Sequence, residues 1–128
     1  MSSWVYLEKD GQTVSVEPFA EGGTYVMGGS TDAELNVTWN YGPRFVEAWD
    51  KEDFENRVVK LGWHGTLHAM LHERVASETV PLLEQAIATL STDTDSDYWK
   101  ATSGNAGHAL SVLCQWAKEH PEATWRVS

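Results

Sequence analysis

Glu34-Leu35-Asn36-Val37-Thr38-Trp39-Asn40-Tyr41-Gly42-Pro43-Arg44-Phe45 decides the fold class, because a strand pattern runs directly into a turn. Leu35, Val37 and Trp39 alternate with Glu34, Asn36, Thr38 and Asn40, the period of two expected of a strand with one buried face. Asn40-Tyr41-Gly42-Pro43 then ends it. Glycine permits positive φ and proline lacks an amide donor, so the ladder cannot run through them.

On the N-terminal side, Trp4-Val5-Tyr6-Leu7 and Thr13-Val14-Ser15-Val16 flank Asp10-Gly11, a dipeptide suited to a tight hairpin. Thr24-Tyr25-Val26-Met27 follows the Gly22-Gly23 break and stops at Gly28-Gly29. Short Gly-rich connections between about four strands favour antiparallel pairing. Such a sheet needs cover on its apolar face.

On the C-terminal side the period changes to that of helices. Phe45, Val46, Ala48, Trp49 and Phe54 outline a short amphipathic segment interrupted by an acidic run, and Trp63, Leu67 and Leu71 form a stripe four residues apart. Val80, Leu83, Ile87 and Leu90 mark a third helix, with Ser77 or Thr79 as its cap and Pro81 in its first turn. A last helix from Ser103-Gly104-Asn105 buries Ala106, Ala109, Leu110, Leu113, Trp116 and Ala117 and ends before Pro121. Trp125 and Val127 form a final strand or a packed tail. Strands first and helices afterwards predict an α+β fold, an antiparallel sheet of about four N-terminal strands covered on one face by three to four helices. Residues 1–128 are expected to form one domain.

The formal charge is −10, from 19 acids and 9 bases. That field opposes phosphate backbones, so direct nucleic-acid binding is not expected, whereas a basic protein surface would be attracted. Acidic mimicry of a nucleic acid is one way to use such a charge, although solubility alone also accounts for it. No run approaches the ~20 apolar residues of a membrane span, and no basic-then-apolar leader opens the chain. Cys114 is the only cysteine and lies among apolar residues, which suggests a packed thiol and a reducing, cytoplasmic setting.

Three constellations could carry chemistry. His64, His68 and His72 are four apart, so adjacent pairs on a helix could share a divalent ion. The outer pair of a straight helix is separated by about 12 Å of rise, so the three cannot share one. They also border the apolar stripe, where amphipathic side chains commonly sit. Asp93-Thr94-Asp95-Ser96-Asp97 resembles the start of a calcium loop, but Tyr98 and Gly104 stand where Gly and Glu are required. Lys100 followed by the helix start at Ser103 to Asn105 could receive an anion on free backbone amides, with Ser103 or Asn105 as alternative N-caps. No nucleophile elbow, paired-cysteine motif or dinucleotide fingerprint occurs. No catalytic residue and no cofactor is therefore assigned.

Seven tryptophans leave room for surface anchors. Trp39, Trp63 and Trp116 fit apolar stripes; Trp49, Trp99 and Trp125 lie beside turns or polar residues. Tyr41, Arg44, Trp49 and Trp99, with Lys100 and Asn105, are the expected partner- or ligand-binding residues, because aromatic and Arg side chains dominate binding hot spots.

The set Gly23-Thr24-Tyr25, Gly28-Gly29-Ser30-Thr31, Ala33 to Tyr41 and Tyr98-Trp99-Lys100-Ala101-Thr102-Ser103-Gly104-Asn105-Ala106-Gly107 resembles a family of small uncharacterised bacteriophage and prophage proteins. Val80 to Ile87 extends the likeness, and residues 60–75 depart from it. The family supplies no activity. The resemblance implies a product of an infected bacterium, in whose cytoplasm it would bind a host protein as an accessory or modulating factor. A small-ligand binder for a nucleotide or other anion, and a metal-dependent enzyme using His64, His68 and His72, are the alternatives.

Overall fold

A computed structural model describes residues 2–17, 20–21, 24–25, 31–97 and 99–128. Its strands are β1 (Ser2–Lys9), β2 (Gln12–Thr13), β3 (Ala20–Glu21), β4 (Thr24–Tyr25), β5 (Glu34–Thr38) and β6 (Thr124–Val127). Its helices are α1 (Gly42–Glu47), α2 (Lys51–Leu61), α3 (Thr66–Leu71), α4 (Ala76–Leu90) and α5 (Ser103–Glu119). The α+β class stands, with every strand pair antiparallel. The Gly22-Gly23 break, Val26-Met27, Gly28-Gly29 and Tyr98 lie outside the described residues.

β1 is the axis of the sheet. One edge pairs with β5 and, past Tyr6, with the β2 hairpin; the other pairs with β6, so the C-terminal segment is a full strand. Asp10 and Gly11 turn the hairpin with φ of 54° and 79°, the left-handed values that an Asp-Gly turn supplies. The register lines up Leu35, Val5 and Val127 across three strands, with Leu7 opposite Trp125 beside them. All five side chains are buried. The alternate row on the opposite face holds Glu34, Tyr6 and Arg126, whose guanidinium lies 4.1 Å from the Tyr6 ring centroid. One face is thus apolar and covered by helices, the other amphipathic.

The helical layer departs from the sequence expectation in three ways. First, β5 ends at Thr38, and a 3-10 turn over Trp39–Tyr41 leads into α1. Gly42 is helical at φ −50° and needs no positive φ; a Cβ there would approach Thr66 Oγ1 to 3.0 Å, so it is closeness to α3 that favours glycine. Second, the acidic run is a helix. Asp50 caps α2 by accepting from Asp53 N–H at 2.9 Å, Glu52 and Asp53 sit in its first turn, and Phe54 and Val58 give it a narrow apolar edge. Third, α4 begins at Ala76, so Pro81 lies in its second turn and neither Ser77 nor Thr79 caps it. The first amides of α4 are met by backbone instead: Ala76 N–H donates to Ala123 O and Ser77 N–H to Pro121 O. Thr79 is buried within the helix, where its Oγ1 accepts from Trp125 Nε1 at 2.9 Å.

α5 buries all six side chains expected of it, together with Cys114, whose thiol burial pushes above its ordinary pKa. It packs antiparallel to α4 across the chain reversal between them. Its N-cap is Thr102, which accepts from Asn105 N–H at 3.1 Å; this replaces Ser103 and Asn105 in that role. Gly104 and Gly107 face the segment after α4 and not the sheet. A Cβ on Gly104 would overlap the Asp93 carbonyl, and one on Gly107 the Ser91 carbonyl.

Backbone cannot yield as a flexible side chain can. Gly104→Ala and Gly107→Ala should each cost about 3 kcal/mol or more, overriding the ~1 kcal/mol that Ala gains in a helix. Gly11→Ala meets open space and carries only its conformational strain, about 1–2 kcal/mol. Urea midpoints of the three variants should rank in that order; equal losses would reject the close-packing account.

Candidate functional site

A cleft of about 280 Å³ opens where the end of β5, α1 and the start of α3 meet. Trp39 and Trp63 stand on its rim, and Val37, Pro43, Phe45 and Leu67 contribute to its walls. Both tryptophans were expected in the core, yet 46% of Trp39 and 55% of Trp63 is exposed. The reason is local. Trp39 falls in the 3-10 turn past the strand, where the alternation no longer holds, and α3 starts three residues after Trp63, so Trp63 is outside the helical stripe.

Neither ring is loose. Trp39 Nε1 donates to Ser3 Oγ at 2.8 Å, with Gly65 lying close to its indole; a Cβ on Gly65 would be 3.8 Å from that nitrogen. Trp63 packs edge-on against Phe54 at 6.2 Å, and Phe54 in turn meets the buried Trp49 at 5.2 Å. The exposed rim is therefore tied to the core by an aromatic series. Among the described residues the cleft carries hydroxyls from Ser3, Thr38 and Thr66 but no titratable side chain. It can hold an apolar group, and it offers no acid, base or nucleophile pair.

The six sequence-expected recognition residues do not share a surface. Tyr41 is 2% exposed and packs edge-on against Phe45; burial, then the charge of Asp97, raises its phenol pKa. Trp49 is 6% exposed and donates from Nε1 to Asp53 Oδ2 at 2.8 Å. Asn105 is buried too. It gathers the preceding loop, donating to Asp97 O and Lys100 O and accepting from Asp95 N–H. Trp99 and Lys100 are exposed, and Arg44 donates from Nε to Ala101 O while pairing with Glu47. At the start of α5 the Asn105 amide is taken by Thr102 Oγ1, and the Asp93 carbonyl lies against Gly104.

The histidines form a row in which each ring meets the next at the four-residue spacing. His64 precedes α3, His68 lies inside it and His72 ends it. The ring centroids are 5.0 Å apart for His64 and His68 and 4.3 Å for His68 and His72, the second pair stacked at 19°. His68 Nδ1 is buried without a hydrogen-bond partner among the described residues. Even so, among the described residues no group of three His, Cys, Asp or Glu side chains is arranged to hold a metal ion. Arg57 fixes the end of α3 from α2, donating to Ala69 O at 2.8 Å and His72 O at 2.6 Å. Arg74 pairs with Asp53 at 2.6 Å. Burial opposes ionisation of Asp53, but Arg74, Trp49 Nε1 and Arg57 together hold its carboxyl below the usual range.

Among the described residues no helix is long and apolar enough to cross a membrane. No family model matches the chain, and neither a curated protein nor a solved structure is similar to it at a significant level.

Burial, then the charges of His72, His64 and Arg57, lowers the pKa of His68, with Glu73 opposing. The unfolded chain therefore takes this proton first. The associated stability is present above about pH 6.5 and declines as pH falls below it. The melting temperature should drop between pH 7.5 and 5.5, and His68→Leu should flatten that dependence. An unchanged slope in the variant would reject the assignment.

Proposed function

We propose that this protein is a non-enzymatic binding protein of a bacteriophage or prophage that acts in the host cytoplasm by engaging a host protein. The observation that supports this reading is the pair of fixed, half-exposed tryptophans framing an apolar cleft with no titratable lining. Small-molecule sites usually occupy about 300–1,000 Å³ and converge several polar groups on their ligand. This cleft, at about 280 Å³, falls just below that range, and the Ser3 hydroxyl is already engaged by Trp39. An apolar anchor projecting from a protein surface fits it better. The net charge of −10 favours a partner that is basic around that anchor.

The phage or prophage setting is supported by the resemblance of the Ala33 to Tyr41 and Trp99 to Gly107 segments. The recognition surface thus moves from Tyr41 and Trp49 to Trp39 and Trp63, a few residues away on either side of the same turn.

Trp39→Ala combined with Trp63→Ala should weaken partner retention from bacterial lysate at moderate salt by at least about tenfold, as loss of two hot-spot aromatics does. Lys100→Ala serves as the surface control and should have little effect. Retention of the partner by the double variant, with the melting temperature held, would reject the cleft as the site.

A further inference from the structure

The outer edge of β6 is closed in two different ways. Trp125 exchanges backbone hydrogen bonds with the segment after α3: its N–H donates to Arg74 O at 2.9 Å and its carbonyl accepts from Glu73 N–H at 2.8 Å. Two residues on, the next outward amide meets a side chain. Val127 N–H donates to His72 Nδ1 at 3.1 Å. On the other side of the ring, His72 Nε2 lies 3.4 Å from Glu73 Oε1. These partners select the neutral tautomer with its proton on Nε2 and an acceptor at Nδ1.

We propose that His64, His68 and His72 form a proton-operated latch on β6, in which neutral His72 holds the strand edge shut and protonated His72 releases it. Protonation puts a second N–H at Nδ1, so two donors face each other across the former hydrogen bond. The bond is then lost. An unpaired strand edge results at Val127, and its amide must find water or another acceptor.

Charged and ionisable groups face the row from several elements. Within the row, His68 stacks on His72 and His64 meets His68 edge-on, so the three rings form one continuous contact series. From α2, Arg57 faces the His72 carbonyl and opposes a positive ring. After α3, Glu73 attracts the proton at Nε2 and is itself exposed. From the β6 side, Val127 and the following Ser128 bring no ionisable side chain to the pocket they share with the row. Imidazole is the side chain type that serves as a proton switch within the range cells reach.

The test is amide hydrogen exchange of the whole protein, with rates normalised to intrinsic exchange at each pH. Between pH 7.5 and 5.5 the Val127 protection factor should fall at least about tenfold while that of Trp125 holds. His72→Asn supplies an acceptor that does not titrate, and it should remove the pH dependence. Constant protection at Val127 would overturn the proposal, as would an equal loss at Trp125 or the same fall in His72→Asn. Should that variant not fold, ring nitrogen shifts of the wild-type protein decide: Nδ1 of His72 must gain its proton in step with the loss at Val127, and protection that persists after Nδ1 is protonated overturns the latch.

Discussion

The return of residues 121–127 is the constraint on which the rest of the molecule depends. This segment pairs with β1, places Trp125 and Val127 in the core, and closes its own outer edge on residues 72–76. It also supplies the carbonyls that satisfy the first amides of α4, a helix with no side-chain cap. Trp125 adds a buried hydrogen bond to Thr79, so one side chain joins the sheet to that helix. Sheet, α3 and α4 are therefore fixed relative to one another by seven residues. Burying an indole and satisfying several orphan backbone groups at once is worth more than any of the exposed ion pairs nearby, such as Lys9 with Glu122, which solvent screens.

Much of this fold is legible in the sequence where period and turn chemistry agree. The alternation before Gly42, the Asp10-Gly11 hairpin and the three-four spacing of α4 and α5 each state their element and its buried face. Legibility fails where tertiary contacts replace a local signal. Val75 is a poor N-cap in isolation, and only the nearby 121–123 turn makes a helix start at Ala76 acceptable. α2 has too few apolar residues for its period to stand out; the buried Arg57 holds it to α3 by hydrogen bonds, which no hydropathy pattern reports.

The recognition residues show the same limit at finer scale. Trp39 continues the strand alternation by one position, and nothing in the sequence says that the strand has already ended. Trp63 is in register with Leu67 and Leu71, but Gly62 and Gly65, at φ of 75° and 99°, break the chain before α3 and turn the indole outward. Those glycines were the available signal. Two positive-φ residues within four positions are incompatible with a helix running through Trp63. The expected core and the expected surface thus exchange members, Trp39 and Trp63 for Trp49 and Tyr41.

The antiparallel pairing of β1 with β6 also has a temporal side. Val5 and Val127 are partners, so the central strand of the sheet finds its second neighbour at a sequence separation of nearly the entire 128 residues. Closing so long a loop carries an entropic cost that nearby contacts do not, and pairings of this kind slow folding. On the ribosome, β1 has one edge without its native partner until residues 124–127 emerge. The native arrangement of β1 is completed only after α4 and α5 have been synthesised, so the two-sided pairing of the central strand waits for both helices.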